Sequence, residues 1–212
     1  MRFIDLHTHH KDKEGNFFIL NCTIENIEKG ENISIGLHPW EIDENLAQMM
    51  QHISNLSVAE NVKAIGECGI DKLRSKASIE TQIVVLKAHI KLSEQQQKPL
   101  ILHIVKGQDI IMRLHKETRP TQAWIIHGFR GKPEQMQQYI SEGFYISYGT
   151  KFNKEALLHT PLERLLLERD EDTISLAQHY NNIAEILNIS AQELVATIER
   201  NCDNCGIRFN NR

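Results

Sequence analysis

The feature that most restricts this chain is an alternation. Eight apolar runs of strand length follow one another: MRFIDLH, FFILNCT, ISIGLHP, VKAIGECGID, PLILHIV, AWIIHGF, FYISYG and LERLLLERD. Between most of them lie stretches with helical spacing. In SIETQIVVLKAHIKLSEQQQ, Ile79, Ile83, Leu86 and Ile90 fall on one face, and DIIMRLHKET and PEQMQQYISEG repeat the pattern more briefly, with Pro133 suited to a first turn. After the last run, ISLAQHYNNIAEILNISAQELVATIERN reads as two helices, the second capped by Ser190. Strands alternating with helices predict a parallel α/β architecture, and runs apolar on both faces, such as PLILHIV, suit strands covered on both sides. Eight such strands point to a (β/α)8 barrel, for which 212 residues is near the lower limit. The first connections are too short for full crossover helices, so an open doubly wound sheet also accommodates the pattern. No linker rich in Pro, Gly or Ser divides the chain, and residues 1–212 are expected to form one domain.

Charge narrows the partners. A net charge of -4 and a pI near 6.3 give no general attraction for a polyanion, so nucleic acid would have to be met by a local basic patch or by metal ions. The first apolar run is cut by HTHHKDKEG, and no stretch approaches the roughly 18 apolar residues of a membrane span, so no membrane partner and a cytoplasmic location are expected. Four cysteines are present; Cys202 and Cys205 form a lone CxxC without a second pair, which favours reduced thiols over a redox or metal role. Oligomeric state is not legible.

The residues that bind metals fall in a pattern against those runs. His7 and His9 close the first, Glu67 lies near the end of the fourth, His103 and His127 end the fifth and sixth, and Asp170 ends the eighth. Each stands at the C-terminal edge of an apolar run, the edge where a parallel barrel gathers its catalytic groups. Side chains at i and i+2 of a strand share a face, so His7 and His9 can reach one ion while Thr8 and His10 point away. Imidazole and carboxylate are ligands of Zn, Mn and Mg, and four histidines with two carboxylates suffice for two ions. Any one of these residues alone would be a buried histidine, a salt-bridged acid or a helix cap; the six together point to metal.

DLHTHH, GLHPW, AIGECGID, LILH, IIHGFRG and LLLERD, in that order, resemble the motif set of the TatD-type deoxyribonucleases, metal-dependent hydrolases of the amidohydrolase superfamily. The resemblance covers nearly the whole chain. It implies a compact (β/α)8 TIM barrel with trimmed first connections and C-terminal helices. It also implies two divalent ions, Mg, Mn or Zn. His7 and His9 with Asp170 match the ligands of the first ion, His103 and His127 those of the second, and Glu67 the bridging carboxylate. The implied activity is phosphodiester hydrolysis, with DNA or a small phosphoester as substrate. Asp170 is the candidate to orient the attacking water and accept its proton, with Glu67 beside it.

The chain departs from the resemblance in places. The family usually carries an arginine two residues after the strand-five histidine; here His103-Ile104-Val105-Lys106 offers only Lys106, a point charge. Arg169 stands where a small residue is usual, and Glu171 and Asp172 follow Asp170. These changes keep two further readings open: a hydrolase of the same fold acting on an amide, ester or lactone, and a barrel that binds without turnover. Arg130, Lys132, Arg74 and Lys151 could form a basic rim, His38 could touch a substrate phosphate, and Trp40 could stack on a base; each also reads as ordinary surface or turn structure.

Overall fold

The computed structural model describes residues 1–23, 27 and 30–209. All eight apolar runs contain strands: β1 (Ile4–Thr8), β2 (Phe17–Cys22), β3 (Ile33–Ile35), β4 (Val62–Asp71), β5 (Leu100–Val105), β6 (Trp124–Ile126), β7 (Tyr145–Tyr148) and β8 (Leu165–Leu167). They form one sheet in chain order, β1 to β8. A parallel bridge joins Thr8, at the end of β1, to Asp170, just past β8. With helices α1 (Leu46–Ser57), α2 (Ile79–Gln96), α3 (Gln108–Thr118), α4 (Pro133–Ser141) and α5 (Lys154–His159) between later strands, this is the (β/α)8 barrel class. The open-sheet alternative falls with the bridge from β1 to the segment after β8. Two helices, α6 (Leu176–Leu187) and α7 (Ala191–Asn204), close the chain, and the Ser190 side chain caps α7 by accepting from Glu193 N.

By its internal contacts the chain comprises two compact units, one of Met1–Leu20 with Ile126–Arg212 and one of Asn21–Ile125. In the first, no helix separates β1 from β2. The eight residues 9–16 connect them. Fully extended, eight residues reach about 27 Å, enough to return along a strand of about 16 Å. Side chains fix that return: Asp12 Oδ1 accepts from Glu14 N (2.8 Å) and Asn16 N (3.0 Å), and Asn16 Oδ1 accepts from Phe3 N (3.1 Å). Tyr180 of α6 donates to Ile4 O (2.8 Å), and Asn201 of α7 donates to Leu162 O and Leu165 O (2.6 and 2.8 Å). These bonds pin the closing helices to β1 and β8 over a core of Leu6, Phe144, Tyr148, Leu166, Ile183 and Ile198, each contributing about 1.5–3 kcal/mol by burial where its side chain is aliphatic or Phe.

In the second unit, α2 is the organiser. Ser78 caps it, accepting from Thr81 N. Its buried Gln82 accepts from Asp71 N (2.8 Å) and donates to Asp71 O (3.3 Å), fixing the end of β4. Its buried His89 accepts from Leu37 N through Nε2 (3.0 Å), with Nδ1 2.9 Å from Val85 O, which fixes the chain leaving β3. Two glycines let the strands approach. A Cβ on Gly36 would lie 2.7 Å from Gly66 Cα, and one on Gly69, at φ 153°, would lie 2.0 Å from His103 O.

Candidate metal-binding clusters

In the first unit, β1 carries His7 fully buried and releases His9 to an exposed edge. Asp170, at φ 58°, is bonded to this strand end in both directions: Asp170 N donates to His7 O (2.9 Å) and His9 N donates to Asp170 O (3.0 Å). Its Oδ1 then lies 3.8 Å from His7 Nε2 and 3.5 Å from His9 Nε2. Such spacings are long for hydrogen bonds but match the edge of about 3.4 Å between two ligands of a tetrahedral ion with bonds of about 2.1 Å. Thr8 turns away, its Oγ1 accepting from His10 N (3.1 Å), and His10 is exposed with Nε2 3.3 Å from Glu171 O. The His127 ring lies 4.5 Å from that of His7, and its Nδ1 stands 3.1 Å from the buried Glu168, which also accepts from Gly128 N (2.6 Å). With the proton held on Nδ1 by Glu168, the Nε2 lone pair is left as a ligand. Glu168 escaped the sequence reading; its signal was an acid closing the apolar LLL.

Arg169 also escaped it as a functional residue. It is buried, and its backbone N and Nε donate to the two oxygens of Asp5 (2.9 and 2.7 Å), while a terminal nitrogen donates to Asp12 (3.3 Å). The segment ending in Asp170 is thus clamped to β1 and to the loop after it. Burial raises the Asp5 carboxyl to about 6, and the charge and hydrogen bonds of Arg169 pull the other way without cancelling it. Beside Asp170 lies a cavity of about 260 Å³ lined by Arg130, Thr150, Lys151, Glu171 and Asp172 among others. Lys132 occupies the position before α4, where its backbone N donates to Gln135 Oε1 (3.1 Å).

In the second unit, His38, Glu67 and His103 meet. Glu67 Oε1 lies 3.3 Å from His38 Nε2 and 2.9 Å from His103 Nδ1. Asn21 holds the acid from behind, accepting from Glu67 N (3.2 Å) and donating to Oε2 (3.4 Å). The other nitrogen of His103, Nε2, is 3.3 Å from Asp71 Oδ2, so each ring nitrogen faces a carboxylate oxygen. Burial works to raise the Asp71 carboxyl, but hydrogen bonds from the Trp40 indole, Arg74 N, Leu73 N and His103 outweigh it and hold it below its ordinary value. His38, read from sequence as a substrate contact, stands within this donor set. Lys106 is exposed just past β5, at φ 56°. The Trp40 indole is already covered on one face, where the Arg74 guanidinium carbon lies 4.1 Å from the ring centre.

Two trios, His7–His9–Asp170 and His38–Glu67–His103, therefore present one ligand atom per residue within 4.8 Å of one another. Imidazole with carboxylate in this proportion fits a Zn, Mn or Mg ion. The CxxC stands apart from them: Cys202 and Cys205 are buried at the end of α7 and form no disulfide, and burial pushes the Cys205 thiol up to about 12.

A barrel with metal-type trios in its loops and strand ends is the mark of the metal-dependent hydrolases, and the chain belongs to one family of them: the model described as TatD related DNase matches residues 19–205. An uncharacterized metal-dependent hydrolase of Buchnera aphidicola subsp. Baizongia pistaciae is 29% identical over 68% of the chain and 57% of its own length. A protein of Rahnella sp. named 3'-5' ssDNA/RNA exonuclease TatD is 29% identical over 64% of the chain and 55% of its own length. The chain thus spans less than two thirds of the curated relatives it matches. Among solved structures, the TatD homolog YjjV from Escherichia coli K12 superposes with a TM-score of 0.80 at 21% identity, covering 97% of this chain and 98% of that one. No helix among the described residues is long and apolar enough to cross a membrane.

Proposed function

We propose that this chain is a divalent-metal-dependent hydrolase of phosphoesters, acting as a phosphodiesterase or deoxyribonuclease through two divalent ions held by its His-carboxylate trios. The observation that carries this reading is the pair of His-carboxylate trios, each with donor spacing suited to one cation. Family membership supports it, as does the exonuclease name carried by the Rahnella relative. His7, His9 and Asp170 would hold one ion, and Glu67 and His103 would hold the other. His127, oriented by Glu168, would add a donor beside His7, and the position of His38 beside Glu67 makes it a further ligand or a direct substrate contact. Bound divalent ions supply Lewis acidity and a water nucleophilic near neutral pH.

The chain's own residues do the rest. Asp170, fixed by its two backbone bonds to β1, accepts the proton of the attacking water. His38 and Arg130 contact the substrate anion, and Lys106 adds a point charge. An amide, ester or lactone substrate is the second reading, favoured by Glu171 and Asp172, which add negative charge to the cavity beside Asp170.

The test is reconstitution with Mg, Mn or Zn and assay against single-stranded DNA, duplex DNA, RNA, a chromogenic phosphodiester, and a panel of amides and lactones. Glu67→Ala is expected to lower metal-dependent phosphodiester turnover by about 10² or more. Unchanged turnover in that variant would overturn the assignment. Cleavage confined to the amide and lactone panel would transfer it to the second reading.

A further inference from the structure

We infer that Arg74, carried on the face of Trp40, is the residue that grips the substrate's phosphoryl anion at the His38–Glu67–His103 cluster and so selects phosphoesters over neutral esters. The inference rests on the proposed phosphoester reading and adds a specificity determinant to it.

Trp40 is 42% exposed, unusual for so large an apolar side chain, yet it is not loose. Its indole Nε1 donates to Asp71 Oδ2 at 2.7 Å, the same oxygen that lies 3.3 Å from His103 Nε2. Its ring meets those of His38 and His103 edge to face, with centres 4.5 and 5.7 Å away. The indole is therefore a rigid shelf referenced to two histidines of the cluster.

Arg74 lies on that shelf, its guanidinium carbon 4.1 Å from the ring centre, and its backbone N donates to Asp71 Oδ1 (2.9 Å). The neighbouring cation Lys72 is engaged with Asp109 at 2.8 Å. Arg74, by contrast, is exposed and pairs with no carboxylate among the described residues. Stacking on an aromatic face uses the π surface of a guanidinium and leaves its in-plane N–H donors for a phosphate. With Arg74 on this face, Trp40 acts there as the holder of a cation. The net charge of -4 makes such a local cation the more necessary.

The experiment uses the Mn-loaded protein and inorganic phosphate as the probe. Of the two tryptophans Trp124 is buried, so a change in emission on phosphate addition reports on Trp40, and calorimetry gives the affinity independently. Arg74→Ala is expected to weaken phosphate binding about tenfold or more, and Arg74→Lys to recover part of it. Metal content and the urea midpoint should stay at wild-type values. Trp40→Ala, which removes the shelf and keeps the arginine, should weaken phosphate several-fold. Cleavage of a neutral ester, where present, should be unmoved by Arg74→Ala. Wild-type phosphate affinity in Arg74→Ala would overturn the inference, as would loss of metal in that variant or absence of phosphate binding by the wild type. Phosphate binding needs no turnover, so a protein that binds phosphate through Arg74 but cleaves no phosphoester would sink the proposed function alone.

Discussion

At the scale of single residues, Arg169 shows how a substitution at an unusual place is absorbed. An arginine beside the proposed ligand Asp170 would add an unwanted charge if it faced an ion held there. Here it faces backward, into both oxygens of Asp5 and toward Asp12. Asp5 is fully buried, so its partner cannot be removed cheaply: stranding a buried charge costs about 3–5 kcal/mol. Arg169→Ala should therefore lower the unfolding free energy by an amount in that range. Arg169→Lys, which keeps the charge but loses the fork, is expected to stay folded and to bind the ion of the His7–His9–Asp170 trio about 10–100-fold more weakly, the effect typical of groups that orient ligands. Metal titration of the folded Lys variant is the check, and unchanged affinity would reduce Arg169 to a structural role. The motif string around positions 167–170 shows an acid and a base beside a ligand; it does not show which way they point. Direction was decided by Asp5, two residues ahead of His7, for which the sequence offered no reading.

At the scale of elements, strands were the readable part and long-range partners the unreadable part. Each apolar run became a strand because uninterrupted β-prone residues have no better use than a doubly covered sheet position. Helix α2 was visible through Ile79, Ile83, Leu86 and Ile90; α1 passed unnoticed although Leu46, Met49, Ile53 and Leu56 keep helical spacing, and the six-residue α5 is too short for a period to show. His89 was counted as one of many histidines, yet it is the joint that holds Leu37, next to His38. Burial pushes its imidazole down to about 4, and the bond to Val85 O only partly opposes that. The unfolded value is the higher one, so between about pH 4 and 6.5 the unfolded chain takes up the proton first. Stability tied to His89 is then complete above about pH 6.5 and drains away as pH falls through that window, by about 3 kcal/mol at most. Subtracting the urea-unfolding free energies of His89→Gln from those of the wild type at each pH isolates this part. The difference should shrink as pH falls from 6.5 to 4; a difference flat across that range would contradict a buried neutral imidazole.

At the scale of the whole molecule, the trios differ in how much of each could be read ahead. His7 and His9 could be paired ahead because the i, i+2 rule needs only local sequence, whereas Asp170 was joined to them by the family resemblance. The company His38 keeps with Glu67 and His103 depends on β3 and β4 touching at Gly36 and on β4 and β5 touching at Gly69, and no spacing rule conveys that. If each trio holds its own ion, the two should be separable. His9→Ala, at an exposed ligand, should remove one divalent ion per chain, and His38→Ala should remove the other or weaken it selectively, as measured by metal analysis after dialysis. Each ion binds the folded state and not the unfolded one, so at a free concentration of about 100 times its Kd it adds about 2.7 kcal/mol. For a chain of this size that is a rise in midpoint of about 5–10 °C per ion. The wild type should then gain two such increments on metal addition and each single variant one. A single increment in the wild type would mean that only one ion binds, and the two-ion part of the proposed function would have to be given up.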